Sequence, residues 1–320
     1  MFQITRTVAT AVTVSALALT MTACNRGPSD TGAQGGATGG AAGKTVTLAV
    51  STLNNPFFVD LRDGAQAAAE SAGATLNVVD AQNDAATQAN QIADAVTKSS
   101  SVVIINPVDS DAAGSAVKPA INAKIPVVAV DRAVNGAEVA SLVSSDNVTG
   151  GKLAAESLGK AMGGKGDVIA LQGVPGTSAS RDRGQGFGDA VKGAGLDVIA
   201  QQPANFDRTQ GLNVATNLLQ AHANATGIFA ENDEMALGAV QALGARAGKD
   251  VKVFGFDGTA DALKAVQAGT MVGTIAQQPK ELGKVAVETA LKVANGETVE
   301  KTIPVEVKAV TKDNVAEYLK

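Results

Sequence analysis

The stretch VVIINPVDSDAAGSAVKPAINAKIPVVAVDR at residues 102–132 opens on an unbroken Val and Ile run. It then crosses an Ala-rich amphipathic segment and closes on a second apolar run. Apolar runs without polar alternation suit strands covered on both faces, the condition of parallel sheets. The same unit recurs on either side. Strands are predicted at 45–50 (TVTLAV), 75–80 (TLNVVD), 102–106 (VVIIN), 126–131 (PVVAVD), 167–172 (DVIALQ), 197–201 (DVIAQ), 227–232 (GIFAEN), 251–257 (VKVFGFD) and 271–277 (MVGTIAQ). Segments of helical length lie between them, such as 60–73 and 234–248. Alternation of this kind means parallel sheets with right-handed crossovers. So many strands exceed one open sheet in this length, so the fold class is α/β with two similar doubly wound lobes.

Composition narrows the chemistry. The chain has 320 residues, 45% hydrophobic and 18% charged, which fits a globular protein of two domains and neither a disordered chain nor a membrane bundle. A formal charge of −5 argues against a nucleic-acid partner, which calls for a basic excess. The one cysteine, Cys24, excludes an internal disulfide and a thiolate zinc cluster, and the one histidine, His222, excludes a His-based metal site. No metal and no cofactor are expected.

The amino terminus reads as an export signal. Residues 1–23 carry Arg6, an apolar run from Val8 to Leu19, and the small residues Thr20, Thr22 and Ala23. Met21-Thr22-Ala23-Cys24 resembles the lipobox of bacterial lipoproteins, which implies lipidation at Cys24 and membrane contact only through that anchor. From Asn25 to Gly43 the sequence NRGPSDTGAQGGATGGAAG has almost no large apolar group and reads as a flexible tether within 24–44. A Gly-rich coil of that length has a root-mean-square reach of about 25 Å.

The polar residues that close the apolar strands are the candidate site. In open α/β sheets a ligand crevice lies beyond the carboxyl ends of the strands. There the sequence places Asn55, Phe57, Phe58, Asn106, Asp131, Arg132, Arg183, Phe206, Asn232, Asp257 and Gln277. Helix capping accounts for Asn and Asp at such points, but not for Arg132, Arg183 or Gln277. Two carboxylates and two guanidinium groups cancel in charge, which suits a neutral ligand. Dense donors and acceptors beside Phe rings suit a polyol, whose hydroxyls need partners and whose C–H faces can lie on aromatic rings.

Nine stretches carry a resemblance. STLNNPFFVDLRDGAQ (51–66), INPVDSDAAGSAVK (105–118), IPVVAVDR (125–132), SDNVTGGKLA (145–154), LQGVPGTSASRDRGQGF (171–187), PANFDRTQGLNV (203–214), NDEMALGA (232–239), GFDGT (255–259) and TIAQQP (274–279) closely resemble the bacterial ribose-binding proteins. The likeness runs from about Thr45 to about Lys308. It implies the type I periplasmic-binding-protein fold, with two lobes joined by a three-strand hinge, serving a sugar ABC importer. By that resemblance Asn55, Asp131, Arg132, Arg183, Asn232, Asp257 and Gln277 would hydrogen-bond the sugar, and Phe57, Phe58 and Phe206 would sandwich it. Ser51, Asn106 and Phe256 match positions close by. The lobes would comprise 45–145 with 278–306, and 146–277 with 307–320. The implied partners are a small neutral sugar, ribose foremost, and a membrane permease, with a chemoreceptor contact left open; the implied chain is an exported monomer. Relatives with altered pockets bind allose, other pentoses or furanosyl molecules, so these stay open.

Other readings fit less well. The effector domain of a sugar-responsive repressor shares this fold, but a signal segment stands where its DNA-reading head belongs. An enzyme finds little support: GTSAS (176–180) is not a nucleophile elbow, and GGAAGKT (39–45), GKAMGGKG (159–166) and GQGFG (184–188) each miss a phosphate or dinucleotide motif. Asp131 and Asp257 are expected to stay ionised beside their arginines, which argues against an acid/base pair.

Overall fold

The computed structural model describes residues 41–319; the expected signal segment, Cys24 and most of the tether lie outside the described residues. Strands and helices alternate throughout. The first sheet contains β1 (Thr45–Val50), β2 (Thr75–Asp80), β3 (Val102–Ile105), β4 (Val127–Val130), β5 (Ser141–Ser145) and β11 (Thr302–Val305), in the order β11-β5-β4-β3-β1-β2, all parallel. The second contains β6 (Gly166–Gln172), β7 (Leu196–Pro203), β8 (Gly227–Ala230), β9 (Lys252–Asp257), β10 (Gly273–Ala276) and β12 (Lys308–Thr311), in the order β12-β10-β9-β8-β6-β7. Only β12 runs antiparallel to its neighbour in that sheet.

Each sheet is covered on both faces, which is why its central strands read as solid apolar runs. Helices α1 (Pro56–Ser71) and α9 (Pro279–Ala294) bury Leu61, Ala65, Leu282 and Val287 on one face of the first sheet. Helices α2 (Ala85–Thr97) and α3 (Ser110–Asn122) bury Ile92, Ala113 and Val117 on the other. In the second lobe, α4 (Asn147–Ala161) and α5 (Ser178–Val191) pack Leu158 and Phe187 against one face. Helices α6 (Arg208–Ala221), α7 (Asp233–Leu243) and α8 (Ala260–Ala268) pack Val214, Met235 and Val266 against the other. The chain passes between the sheets after β5, after β10 and after β11. Ala41–Lys44 lie against the first lobe, where the Gly43 amide donates to the Gly73 carbonyl.

Three strands escaped the sequence reading. β5 is SLVSS, with serines at alternate positions; β11 is a half-exposed edge strand containing Pro304; β12 is a short antiparallel edge. None presents the continuous apolar run of an interior parallel strand. Helix α1 also begins earlier than expected. The Asn55 side chain caps it by accepting from the Phe57 amide, and Pro56 occupies the first turn, where its missing N–H costs nothing. Phe57 and Phe58 therefore stand on a helix and not on a loop, which fixes their direction.

Candidate ligand-binding site

The carboxyl ends of both sheets face one another, and between them lies a hollow of about 240 Å³. Asn55, Phe57, Phe58, Asp131 and Arg132 line it from the first lobe, and Ala179, Arg183, Phe206, Asn232 and Asp257 from the second. Gln277 joins from behind Asp257, donating from Nε2 to Asp257 Oδ1 at 2.7 Å. All ten residues of the main candidate set are thus brought together.

The three remaining candidates form a supporting row. Asn106 Nδ2 donates to Asp131 Oδ2 at 3.1 Å, and its Oδ1 accepts from the Ser51 amide, so it aims the aspartate. The Arg183 guanidinium lies 3.9 Å from the Phe256 ring centroid. Ser51 is fully buried, and its hydroxyl has no hydrogen-bond partner among the described residues.

Capping and lining are combined in the asparagines. Asn55 and Asn232 each use their side-chain oxygen to cap a helix, through the Phe57 and Met235 amides respectively. Both residues line the hollow, and Asn232 Nδ2 donates to the Phe206 carbonyl at 3.2 Å. The two explanations for asparagine at a strand end are therefore compatible.

The arginines hold the two walls. Arg132, on the first lobe, has its guanidinium 5.4 Å from the Phe58 ring and 5.3 Å from the Phe206 ring of the second lobe. It donates to the Pro107 carbonyl at 2.8 Å. Arg183 donates to Asn147 Oδ1 at 2.8 Å and to the Glu231 carbonyl at 2.7 Å, and approaches Asp257 Oδ1 at 3.5 Å. Asp131 Oδ1, Arg132 Nε, Asp257 Oδ2 and Gln277 Oε1 are buried with no hydrogen-bond partner among the described residues. Unmet groups of this kind are costly alone and are what a hydroxylated ligand can satisfy.

Both site carboxylates are shifted upward. Burial pushes Asp131 above the usual carboxylate range, outweighing Arg132, Arg183 and Asn106. Burial also pushes Asp257 well above it; Asp233 and Asp131 add to the rise, while Arg183 and Gln277 oppose it. Burial thus opposes the neighbouring arginines on which the expectation of ionised carboxylates rests; the nearest guanidinium nitrogens stand at 3.6 and 3.5 Å.

Three site residues have strained backbone. Asp131, Phe206 and Asp257 all have positive φ, at 65°, 60° and 130°. Each such conformation costs on the order of 1–3 kcal/mol and persists only where the surroundings enforce it. The loop after Asp257 is held by buried Asp233, whose Oδ2 accepts from the Gly258 and Thr259 amides at 2.8 Å. Burial raises that carboxyl to about 7. Gly173 makes room for the Phe206 ring, since a Cβ there would lie 2.0 Å from it.

Asn147 and Asp233 were not foreseen. Asn147 follows β5, and the strand-end rule would have found it had SLVSS been read as a strand. Asp233 sits beside a predicted site residue but faces away from the hollow.

The lobes also touch directly. The Ser110 amide donates to the Gly176 carbonyl at 3.0 Å, the Ser178 amide to Ser110 Oγ at 3.0 Å, and the Ala133 amide to Ser178 Oγ at 2.8 Å. Arg181 reaches Asp111 at 3.7 Å. No helix among the described residues is long and apolar enough to cross a membrane. Among those residues no group of three or more His, Cys, Asp or Glu side chains is placed to hold a metal.

Known proteins share this arrangement. The family model for the periplasmic binding protein domain matches residues 46–298. The ribose import binding protein of Escherichia coli strain K12 is 50% identical over 84% of this chain and 90% of its own length. That of Bacillus subtilis strain 168 is 44% identical over 83% of this chain and 87% of its own. An ABC transporter solute-binding protein from Mycobacterium smegmatis, solved with bound glycerol, superposes with a TM-score of 0.83 at 35% identity, covering 87% of this chain and 98% of that one. The two parallel-sheet lobes are the type I fold that the sequence resemblance implies. The chain belongs to the periplasmic binding protein domain family.

Proposed function

We propose that the chain captures D-ribose, or a closely similar small neutral aldose, outside the cytoplasm and delivers it to the permease of an ABC importer. One observation carries this reading: ten side chains from two lobes converge on a single small hollow, with two acids, two bases and three phenylalanine rings. Opposed charges leave no net preference for an ionic ligand. The hydroxyls of a pentose would meet the unpaired oxygens of Asp131, Asp257 and Gln277 and the amide nitrogens of Asn55 and Asn232. Phe57, Phe58 and Phe206 would cover its C–H faces.

Lobe closure is the working step. A sugar touching both walls favours the closed form by the contacts that only closure supplies. The lobes divide as 45–145 with 278–306, and 146–277 with 307–320, and bend at the three crossings. The closed pair of lobes then presents one joint surface to the permease. The chain works as a monomer, anchored by lipid at Cys24, and turns over no substrate; a chemoreceptor contact would use the same closed surface.

The test is a thermal-shift panel of pentoses and hexoses on the intact chain. Ligand that binds only the folded form raises the midpoint with occupancy, by about 2.7 kcal/mol of stabilisation at a hundredfold excess over Kd. D-ribose should give the largest shift at equal concentration. A panel in which no neutral aldose shifts the midpoint would overturn the reading.

A further inference from the structure

A second hollow lies in the second lobe, lined by residues other than those of the interlobe hollow. Its origin is in the glycines of α4 and α5. A Cβ on Gly151 would stand 2.3 Å from the Arg183 carbonyl oxygen, and one on Gly186 would stand 2.0 Å from that of Val148. Such close approach draws α5 onto α4 and away from edge strand β7. An open hollow of about 1020 Å³ remains between α5 and strands β6 and β7. Large side chains on α5 would close it, but that face carries Gly184 and Gly188, and a Cβ at Gly188 meets nothing within 4 Å. Val198 on β7 is left 37% exposed at its edge.

Glu231 supplies the second observation. The residue is 2% exposed and lines this hollow. Its Oε2 accepts from the Gly173 amide at 2.7 Å and from the Ser180 hydroxyl. Its Oε1 has no hydrogen-bond partner among the described residues and lies 3.0 Å from where a Gly184 Cβ would be. That oxygen is free to exchange hydrogen bonds with a molecule in the hollow. Arg181, Gln185 and Gln201 add further donors and acceptors around it, above an apolar strip that includes Val198 and Phe229.

We propose that this hollow is a second, weaker binding site for a small neutral polyhydroxylated molecule, held by Glu231, Gln185 and Gln201 and independent of the interlobe cleft. Burial raises the Glu231 carboxyl to about 7, so near neutral pH it is divided between a form that donates and one that only accepts. A hydroxyl suits both. The wide mouth leaves one side of the ligand in water, which makes the site weaker than the enclosed cleft.

The test is methyl and amide NMR on the intact chain, first given one equivalent of D-ribose and then titrated with more D-ribose or with myo-inositol. The expected result is a saturable shift of the Val198 methyl signals and the Gly184 and Gly188 amides in the millimolar range, about a thousandfold weaker than a micromolar first site. Gly188→Leu, whose side chain fills the gap, should lose that shift and keep the thermal stabilisation given by the first equivalent. Should that variant not fold, Gln201→Ala on the exposed edge strand should weaken the same shift, and Glu231→Gln should weaken it by about tenfold. Signals that stay fixed up to about 50 mM of both compounds would overturn the proposal, since a millimolar site would then be saturated. So would a shift unchanged by all three substitutions. Either failure leaves the cleft reading standing, because that is read by the first equivalent.

Discussion

Replacing Arg183 with Ala removes the side chain that ties the second wall together. The guanidinium is 3% exposed and makes two short hydrogen bonds, to Asn147 Oδ1 at 2.8 Å and to the Glu231 carbonyl at 2.7 Å. It also approaches Asp257 at 3.5 Å and lies 3.9 Å from the Phe256 ring centroid. Its loss leaves Asn147 Oδ1 and the Glu231 carbonyl unpaired and deprives Asp257 of its nearest cation. Removing one partner from a buried, hydrogen-bonded charged network costs on the order of 2–5 kcal/mol in binding. At 1.4 kcal/mol per tenfold, that is about 30- to 4,000-fold in Kd. Calorimetry with D-ribose gives the affinity, and a circular-dichroism melt establishes that the variant is folded. Arg181→Ala on the same helix is the comparison: it loses an exposed hydrogen bond to the Gly176 carbonyl at 3.2 Å and an exposed interlobe ion pair with Asp111 at 3.7 Å, the pair worth about 0–1 kcal/mol. A folded Arg183→Ala variant binding ribose within threefold of the parent would refute the assigned clamp.

Three further outcomes follow from the same geometry. Replacing both Ser110 and Ser178 with Ala deletes the hydroxyl acceptors of two interlobe hydrogen bonds without touching the hollow, so closure should weaken by about 0.5–1.5 kcal/mol per bond; calorimetry should show a raised Kd, and small-angle scattering a more open ligand-free form, whereas unchanged values in both would count against the latch. Gly173→Ala places a Cβ 2.0 Å from the Phe206 ring and should displace it, lowering ribose affinity in calorimetry; undiminished binding would show that the ring does not cover the ligand. Glu231 has its carboxyl raised from 4.5 to about 7, so the fold favours the protonated form: its stabilisation is full below about pH 4.5 and is lost as pH rises through 7, up to about 3 kcal/mol. Thermal melts from pH 4.5 to 8 should therefore fall less steeply for Glu231→Gln than for the parent, and parallel profiles would contradict the assignment.

The sequence was most legible where burial is uniform. Interior strands such as VVII and GIFA are apolar at every position because both faces are covered, so their ends, and the polar residues just beyond, are easy to locate. That is why Asp131, Asn232 and Asp257 stand out in the sequence as candidates. β5 escaped because its serines interrupt the run, and Asn147 escaped with it. The position of Phe57 and Phe58 on a helix depends on Asn55 capping at Pro56, a local signal that a helical segment predicted from residue 60 leaves out. The upward push of burial on Asp131 and Asp257 has no sequence signal, because charge partners are visible in a sequence while the depth of burial is not. Positive φ at Asp131, Phe206 and Asp257 had no sequence signal, since none of the three is glycine. The lobe-to-lobe contacts of Ser110 and Ser178 join positions 68 residues apart and belong to the folded geometry alone.

A crystal structure of the intact chain with D-ribose tests the central claim most directly. Jointly held sugar should appear as one pentose between the lobes, within hydrogen-bond distance of both Asp131 on one wall and Asp257 on the other, with Phe58 and Phe206 against its faces. A pentose bound to one lobe only, or found solely outside this hollow, would contradict the account.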